Sequence, residues 1–153
     1  MPYPSIFTKE VSDGIIERIS KLTPESERQW GKMDVAKMLA HCNVAYEMIY
    51  EPDKHPKPKF PMSLILKFFV KPMVTGDKAP KKDSPTAPQF IMKSDKDFDA
   101  ERERLIDYIN RTTELGEGHF DGKESHSFGA LNKTQWSNML YKHLDHHLTQ
   151  FGV

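Results

Sequence analysis

Histidine is the residue whose placement in this chain suggests chemistry. There are seven, and three of them, His143, His146 and His147, crowd together near the C-terminus. On a helix a four-residue step overshoots one turn by about 40°, so His143 and His147 share a face. Trp136, Leu140, Leu144 and Phe151 lie within about 100° of His143 on the same side. His146 falls on the flank, at about −60°. A second apolar face, on the segment that begins at Asp34, gathers Met38, Ala45, Met48 and Ile49 around His41. His41 therefore also points inward.

Buried imidazoles cost free energy unless each ring nitrogen finds a partner. A lone inward histidine is ordinarily satisfied by a backbone carbonyl, but three that converge from two helices can share one divalent cation. His-x-x-x-His on one helix with a third His from a neighbour makes a facial site that leaves a position for water or substrate. His41, His143 and His147 are thus the candidate metal ligands. Their neutral rings would leave the ion its full charge, which favours an anionic ligand such as thiolate or hydroxide. The candidate catalytic residues are His146, placed on the rim to act as acid or base, and Gln150, placed to hydrogen-bond a ligand or a histidine ring. Cys42 is turned by about 100° from His41 and reads as a small core residue. His55, His119 and His126 stand in loops and are expected at the surface. A His-Glu-x-x-His motif is absent, which disfavours a protease-like hydrolase, and paired Glu-x-x-His motifs are absent, which disfavours ferritin-like oxidase chemistry.

The elements that must position these residues follow from periodicity. Phe7, Val11, Ile15, Ile19 and Leu22 form the stripe of a first helix. Thr23-Pro24 then resembles a cap with proline at the first helical position, so a short turn, serving as a connector, is expected over residues 25–29. The second helix should start at Asp34, with Met33 and Met38 as its hydrophobic staple, and end near Tyr50. Residues 51–89 hold eight of the eleven prolines and should be mostly loop. Inside this insertion, FPMSLILKFFVKPMV predicts a short helix bounded by Pro61 and Pro72. It reads first as a lid over one end of the core; a lysine-flanked helix that meets a membrane surface or a partner is the other reading. A third long helix runs from Asp97, with Phe98, Leu105, Ile106 and Ile109 inward, to Gly116 and Gly118, its charged side being solvated surface. The last starts at Asn132, where Gln135 completes a capping box, and runs to Gln150, with Gly152 as the stop. Four long helices without strand alternation predict an all-α four-helix bundle, residues 1–153 forming one domain.

Composition narrows the partners. With 22 Lys plus Arg against 22 Asp plus Glu and a formal charge of zero, the chain lacks the footprint of a general nucleic-acid binder. Its single Cys excludes an intramolecular disulfide and fits a reducing, cytoplasmic setting. No leader-like segment or membrane-spanning run is evident.

Trp30, the stretch MDVAKMLAH ending in His41, and HSFGALNKTQWSNMLYKHLDHHLTQFGV resemble the DinB/YfiT-like superfamily, in particular a branch of uncharacterised function. The resemblance covers essentially the whole chain, including the Pro-rich insertion and Thr-Ala-Pro at 86–88; YKHLDHHLTQFG is its most specific part. It implies a helical bundle that binds a divalent metal, zinc or nickel foremost, through His41, His143 and His147, with Gln150 three residues after the last ligand. It also implies kinship with metal-dependent transferases that use low-molecular-weight thiols. The functional expectation is therefore a metal-dependent thiol S-transferase-like protein acting on a small molecule. The alternative is a non-catalytic, metal-stabilised bundle serving as a dimeric binding or stress-response module. A homodimer is expected, and neither nucleic acid nor membrane is expected as a partner.

Overall fold

The structure is a computed structural model that describes residues 3–82, 84 and 87–153; Thr86 of the Thr-Ala-Pro stretch lies outside the described residues. The fold is mostly helical. Its long helices are α1 (Lys9–Ser20), α2 (Val35–Tyr50), α5 (Phe98–Phe120) and α6 (Lys133–Gln150). Each of the last three starts where a side chain can close the first turn. Asp34 accepts from the Lys37 amide at 2.8 Å and Asp97 from the Ala100 amide at 3.0 Å, while Asn132 and Gln135 form the reciprocal capping box.

Contacts between the helices set their directions. Ile6 and Arg18, at either end of α1, meet Ser137 and Asp145 of α6 in the same order, so α1 and α6 are parallel. Asn43 meets Glu101, Glu47 meets Arg104, and Tyr50 meets Thr112, so α2 and α5 are parallel too. Trp30, just before α2, meets Gln150 at the far end of α6, which makes α2 and α6 antiparallel. Consecutive long helices that run parallel need a connection that returns along their length, and residues 51–97 supply it. The insertion is thus a crossover. The core contains Ile15 and Ile19 of α1, Met38 and Tyr46 of α2, Leu105 and Ile109 of α5, and Trp136, Leu140 and Leu144 of α6, all essentially buried.

Four local expectations change. The expected connecting turn forms, but earlier than residues 25–29, with the Ser26 amide on the Thr23 carbonyl; the Gln29 amide goes instead to the Gln150 carbonyl at 2.7 Å. Helix α5 breaks at Gly116, whose φ of 77° and ψ of 170° are non-helical, yet resumes to Phe120. The buried Phe120 ring, 5.1 Å from Phe7 and 5.4 Å from Trp136, draws the chain back to the core. A small antiparallel hairpin, β1 (Lys123–Ser125) and β2 (Gly129–Leu131), modifies the all-α expectation. Its strands are too short to show alternation, and Leu131 is its buried anchor. Within the crossover, α3 (Met62–Ile65) continues through a π-helical stretch, Leu66–Val70, into α4 (Lys71–Thr75), so Pro72 does not end the helical path. A widened turn relieves the clash that a proline ring makes with the carbonyl four residues earlier.

The helical run lies against α6, with Leu66, Val70 and Val74 half-buried. Between Tyr46 and Phe98 no hydrophobic side chain is buried among the described residues. Polar groups hold it on α6 instead: Lys142 donates to the carbonyls of Met73 and Gly76, each at 2.8 Å, and Asn138 donates to the Thr75 carbonyl at 3.0 Å and to Asp77 at 3.2 Å.

Candidate metal centre

The antiparallel pair α2 and α6 brings His41, His143 and His147 together. One ligating nitrogen from each lies within 4.8 Å of the others. His41 and His147 are buried and His143 is half-buried. The ring centroids are 4.8 Å apart for His41 and His143, 4.4 Å for His41 and His147, and 4.9 Å for His143 and His147.

Two of the rings are oriented from behind. His41 Nδ1 sits 2.9 Å from the Phe90 carbonyl, so that nitrogen carries the proton and Nε2 keeps its lone pair. His147 Nδ1 sits 2.8 Å from Gln150 Oε1, and the Gln150 amide nitrogen donates to the Trp30 carbonyl at 2.7 Å. The amide is thereby locked with its oxygen toward the histidine. Gly31 makes room for it: with φ at +84°, a Cβ there would stand 2.4 Å from Gln150 Nε2. Only glycine fits that position without displacing the amide.

At the front of the centre the ring nitrogens face one another. His143 Nε2 and His41 Nε2 are 2.9 Å apart, and two lone pairs cannot face each other at that distance without a proton or a cation between them. Burial, followed by the neighbouring imidazoles, holds the His143 ring well below the ordinary histidine range. Burial lowers His41 as well, opposed by the Phe90 carbonyl, and burial with the nearby His41 takes His147 down to about 3. The neutral form required of a metal ligand is therefore the native form of all three. No carboxylate belongs to the group. The donor set fits a divalent cation of borderline softness.

Around this centre, Phe90 stacks edge-on at 5.3 Å from His41 and 5.9 Å from His143. His146 is half-buried at the rim, its ring 5.0 Å from His147 and 5.6 Å from Trp30, and Lys82 lies 4.3 Å above the Trp30 ring. Cys42 is buried in the core beside Met38, and burial raises its thiol pKa, so it stays a neutral thiol. Sequence reasoning missed the Phe90 carbonyl. It lies in the aperiodic crossover, where nothing in side-chain type announces a backbone acceptor.

A model for the family described as "Protein of unknown function (DUF1569)" matches residues 7–152. The chain belongs to this family. No curated protein and no solved structure matches it. In this DUF1569 chain the three histidines, Gln150, Trp30, Gly31 and Phe90 all fall within the matched residues.

The three remaining histidines divide. His119 is exposed as expected, but it stands in the last turn of α5 and not in a loop. His55 and His126 are not simple surface residues: His55 Nε2 pairs with Glu47 at 3.0 Å, and His126 Nε2 meets the His55 carbonyl at 2.8 Å, which ties the hairpin to the start of the crossover. The charged side of α5 also differs from expectation. Arg104 bridges Glu47 at 2.6 Å and Glu101 at 2.8 Å, and Glu101 accepts from Asn43 at 2.8 Å. The parallel packing of α2 on α5 turns these charges into an interhelical network.

Proposed function

We propose that this DUF1569 chain is a DinB/YfiT-like four-helix-bundle protein that binds one divalent ion, zinc or nickel, through His41, His143 and His147. We further propose that it acts as a metal-dependent transferase using a low-molecular-weight thiol. The observation that carries the reading is the convergence of three neutral imidazoles within 4.8 Å, without any carboxylate among them. The parallel and antiparallel helix pairs and the sequence resemblance support the superfamily assignment. A divalent ion at this centre would supply Lewis acidity and stabilise thiolate or hydroxide at neutral pH.

The chain's own residues have distinct tasks in this proposal. The Phe90 carbonyl and Gln150 hold the rings of His41 and His147 so that Nε2 faces inward. Gln150 is thus a positioning residue. His146, on the rim against Trp30, is placed to hold or deliver a proton at a ring nitrogen. Trp30 and Phe90 exclude water from two sides. A cytoplasmic homodimer completes the proposal.

Metal analysis of the purified protein tests it. One equivalent of divalent metal is expected, lost in His143→Ala; stoichiometric metal persisting in that variant would refute the ligand set. In cobalt-substituted protein, added thiol should perturb the visible spectrum, and an unchanged spectrum would count against thiol chemistry. The Phe90 roof favours a second reading, a purely structural ion: there, metal loss would lower thermal stability sharply and no exogenous ligand would reach the cobalt.

A further inference from the structure

The helical run of the crossover half-buries Leu66, Val70 and Val74 and leaves its larger apolar side chains outward. Phe60, Phe68, Phe69 and Met73 are 78%, 69%, 70% and 64% exposed, far from the condition of the core phenylalanines. Leu64 and Ile65 are exposed beside them. The orientation is held by polar anchors on the opposite side, where Lys142 and Asn138 of α6 grip the carbonyls of Met73, Thr75 and Gly76, and Lys71 reaches the Ala130 carbonyl on β2 at 3.4 Å. Beside the apolar surface, Lys57 and Lys59 are exposed, whereas Lys54 pairs with Glu51 at 3.1 Å and Lys71 is turned to β2.

We propose that this surface docks on an anionic lipid bilayer, with the phenylalanines entering the interface and the flanking lysines meeting the headgroups. The sequence led to the expectation of no membrane partner, and no helix is long and apolar enough to cross a membrane; a surface-lying run needs neither length nor a continuous apolar stretch. Each exposed Phe withdrawn from water contributes roughly ten- to a hundredfold in partitioning, and each Lys near an anionic surface about fivefold. A second copy of the chain is a poor occupant, because a two-fold contact would bring Lys57 and Lys59 near the same lysines of the other copy. A helix-binding groove is also a poor match. Leu64, Ile65, Phe68 and Phe69 form two adjacent pairs on a run widened by the π-helical stretch, whereas a groove reads a narrow stripe. A broad apolar arc with a basic rim suits a fluid, non-directional medium.

Vesicle flotation with the full chain tests the proposal, independently of the histidine centre. The protein should float with phosphatidylcholine vesicles containing phosphatidylglycerol, and binding should fall at high salt. Binding should drop by at least about tenfold in Phe68→Ser/Phe69→Ser and by up to about 25-fold in Lys57→Gln/Lys59→Gln. Because all four side chains are exposed, the helical circular dichroism should be unchanged in both variants. Absence of binding to the anionic vesicles, equal binding to pure phosphatidylcholine, or unchanged binding by the Phe variant would overturn it. So would a wild-type dimer that the Phe variant converts to monomer without any lipid association, or retention on an acidic protein in place of lipid.

Discussion

Helix α2 buries polar groups on two sides, and the two sides behave oppositely. Toward α5, Glu47 is nearly buried and is met by Arg104 at 2.6 Å and His55 at 3.0 Å, with Glu101 and Asn43 extending the network. Every charge there has a counter-charge from the chain itself. Toward α6, His41 meets only two further imidazoles at the front, all held neutral by burial. One interface sets opposite charges against each other, whereas the other gathers neutral ring nitrogens that a single divalent cation could share. Buried polarity points to a ligand here where the chain gathers donor atoms of one kind, since a network of opposite charges already offsets much of the desolvation cost that a ligand would otherwise relieve.

Substitutions on the two sides should separate this contrast. The largest effect is expected for His41→Ala or His147→Ala, which should take metal content from one equivalent to undetectable by elemental analysis. In the wild type, adding metal at a hundredfold excess over its Kd should raise stability by about 2.7 kcal/mol, read as a rise in Tm that a chelator reverses. On the other side, Glu47→Ala should leave metal content unchanged while lowering unfolding free energy. A loss of about 2–3 kcal/mol is expected, below the roughly 3–5 kcal/mol of fully buried pairs because Arg104 remains about one-third exposed. Denaturant titration measures it, and a parallel loss of metal would show the two faces to be coupled.

Smaller effects probe the supports. Gln150→Leu and Gly31→Ala should each weaken metal binding about 10–100-fold by releasing the His147 ring, with the three ligands still present; calorimetric titration with unchanged affinity would remove Gln150 from the centre. The smallest effect is expected for Tyr108→Phe, which removes the hydrogen bond to Glu51 at a cost of about 1 kcal/mol. Burial, then the Glu51 bond, raises the Tyr108 pKa to about 12 from its ordinary 10. A raised pKa contributes stability that is present below the unfolded value and is lost as pH rises through the folded one. The wild type should therefore lose its advantage over the Phe variant between those two values, as urea midpoints measured along the pH series would show.

The helical starts and the inward histidines were legible because they depend on local rules. Asp34, Asp97 and Asn132 cap their own helices, and the helical period alone turns His143 and His147 to one face. The hairpin was not legible, since three-residue strands carry no period. The path through Pro72 was not legible either, because a π-helical widening is decided by the whole run and proline by itself signals a stop. Glu101 and Arg104 read as solvated surface, and only the parallel pairing of α2 with α5 places Glu47 opposite them.

By itself, then, the sequence determined which side chains face inward on each helix and where most of the long helices begin, for these follow from spacing and capping within a few residues. Which histidine meets which, which carbonyl holds His41, and why Gly31 must lack a side chain were decided by the tertiary structure alone. The antiparallel pairing of α2 with α6 joins atoms more than a hundred residues apart and the crossover brings Phe90 to His41 across 49, and contacts at such separations depend on how helices pack, which no local pattern encodes.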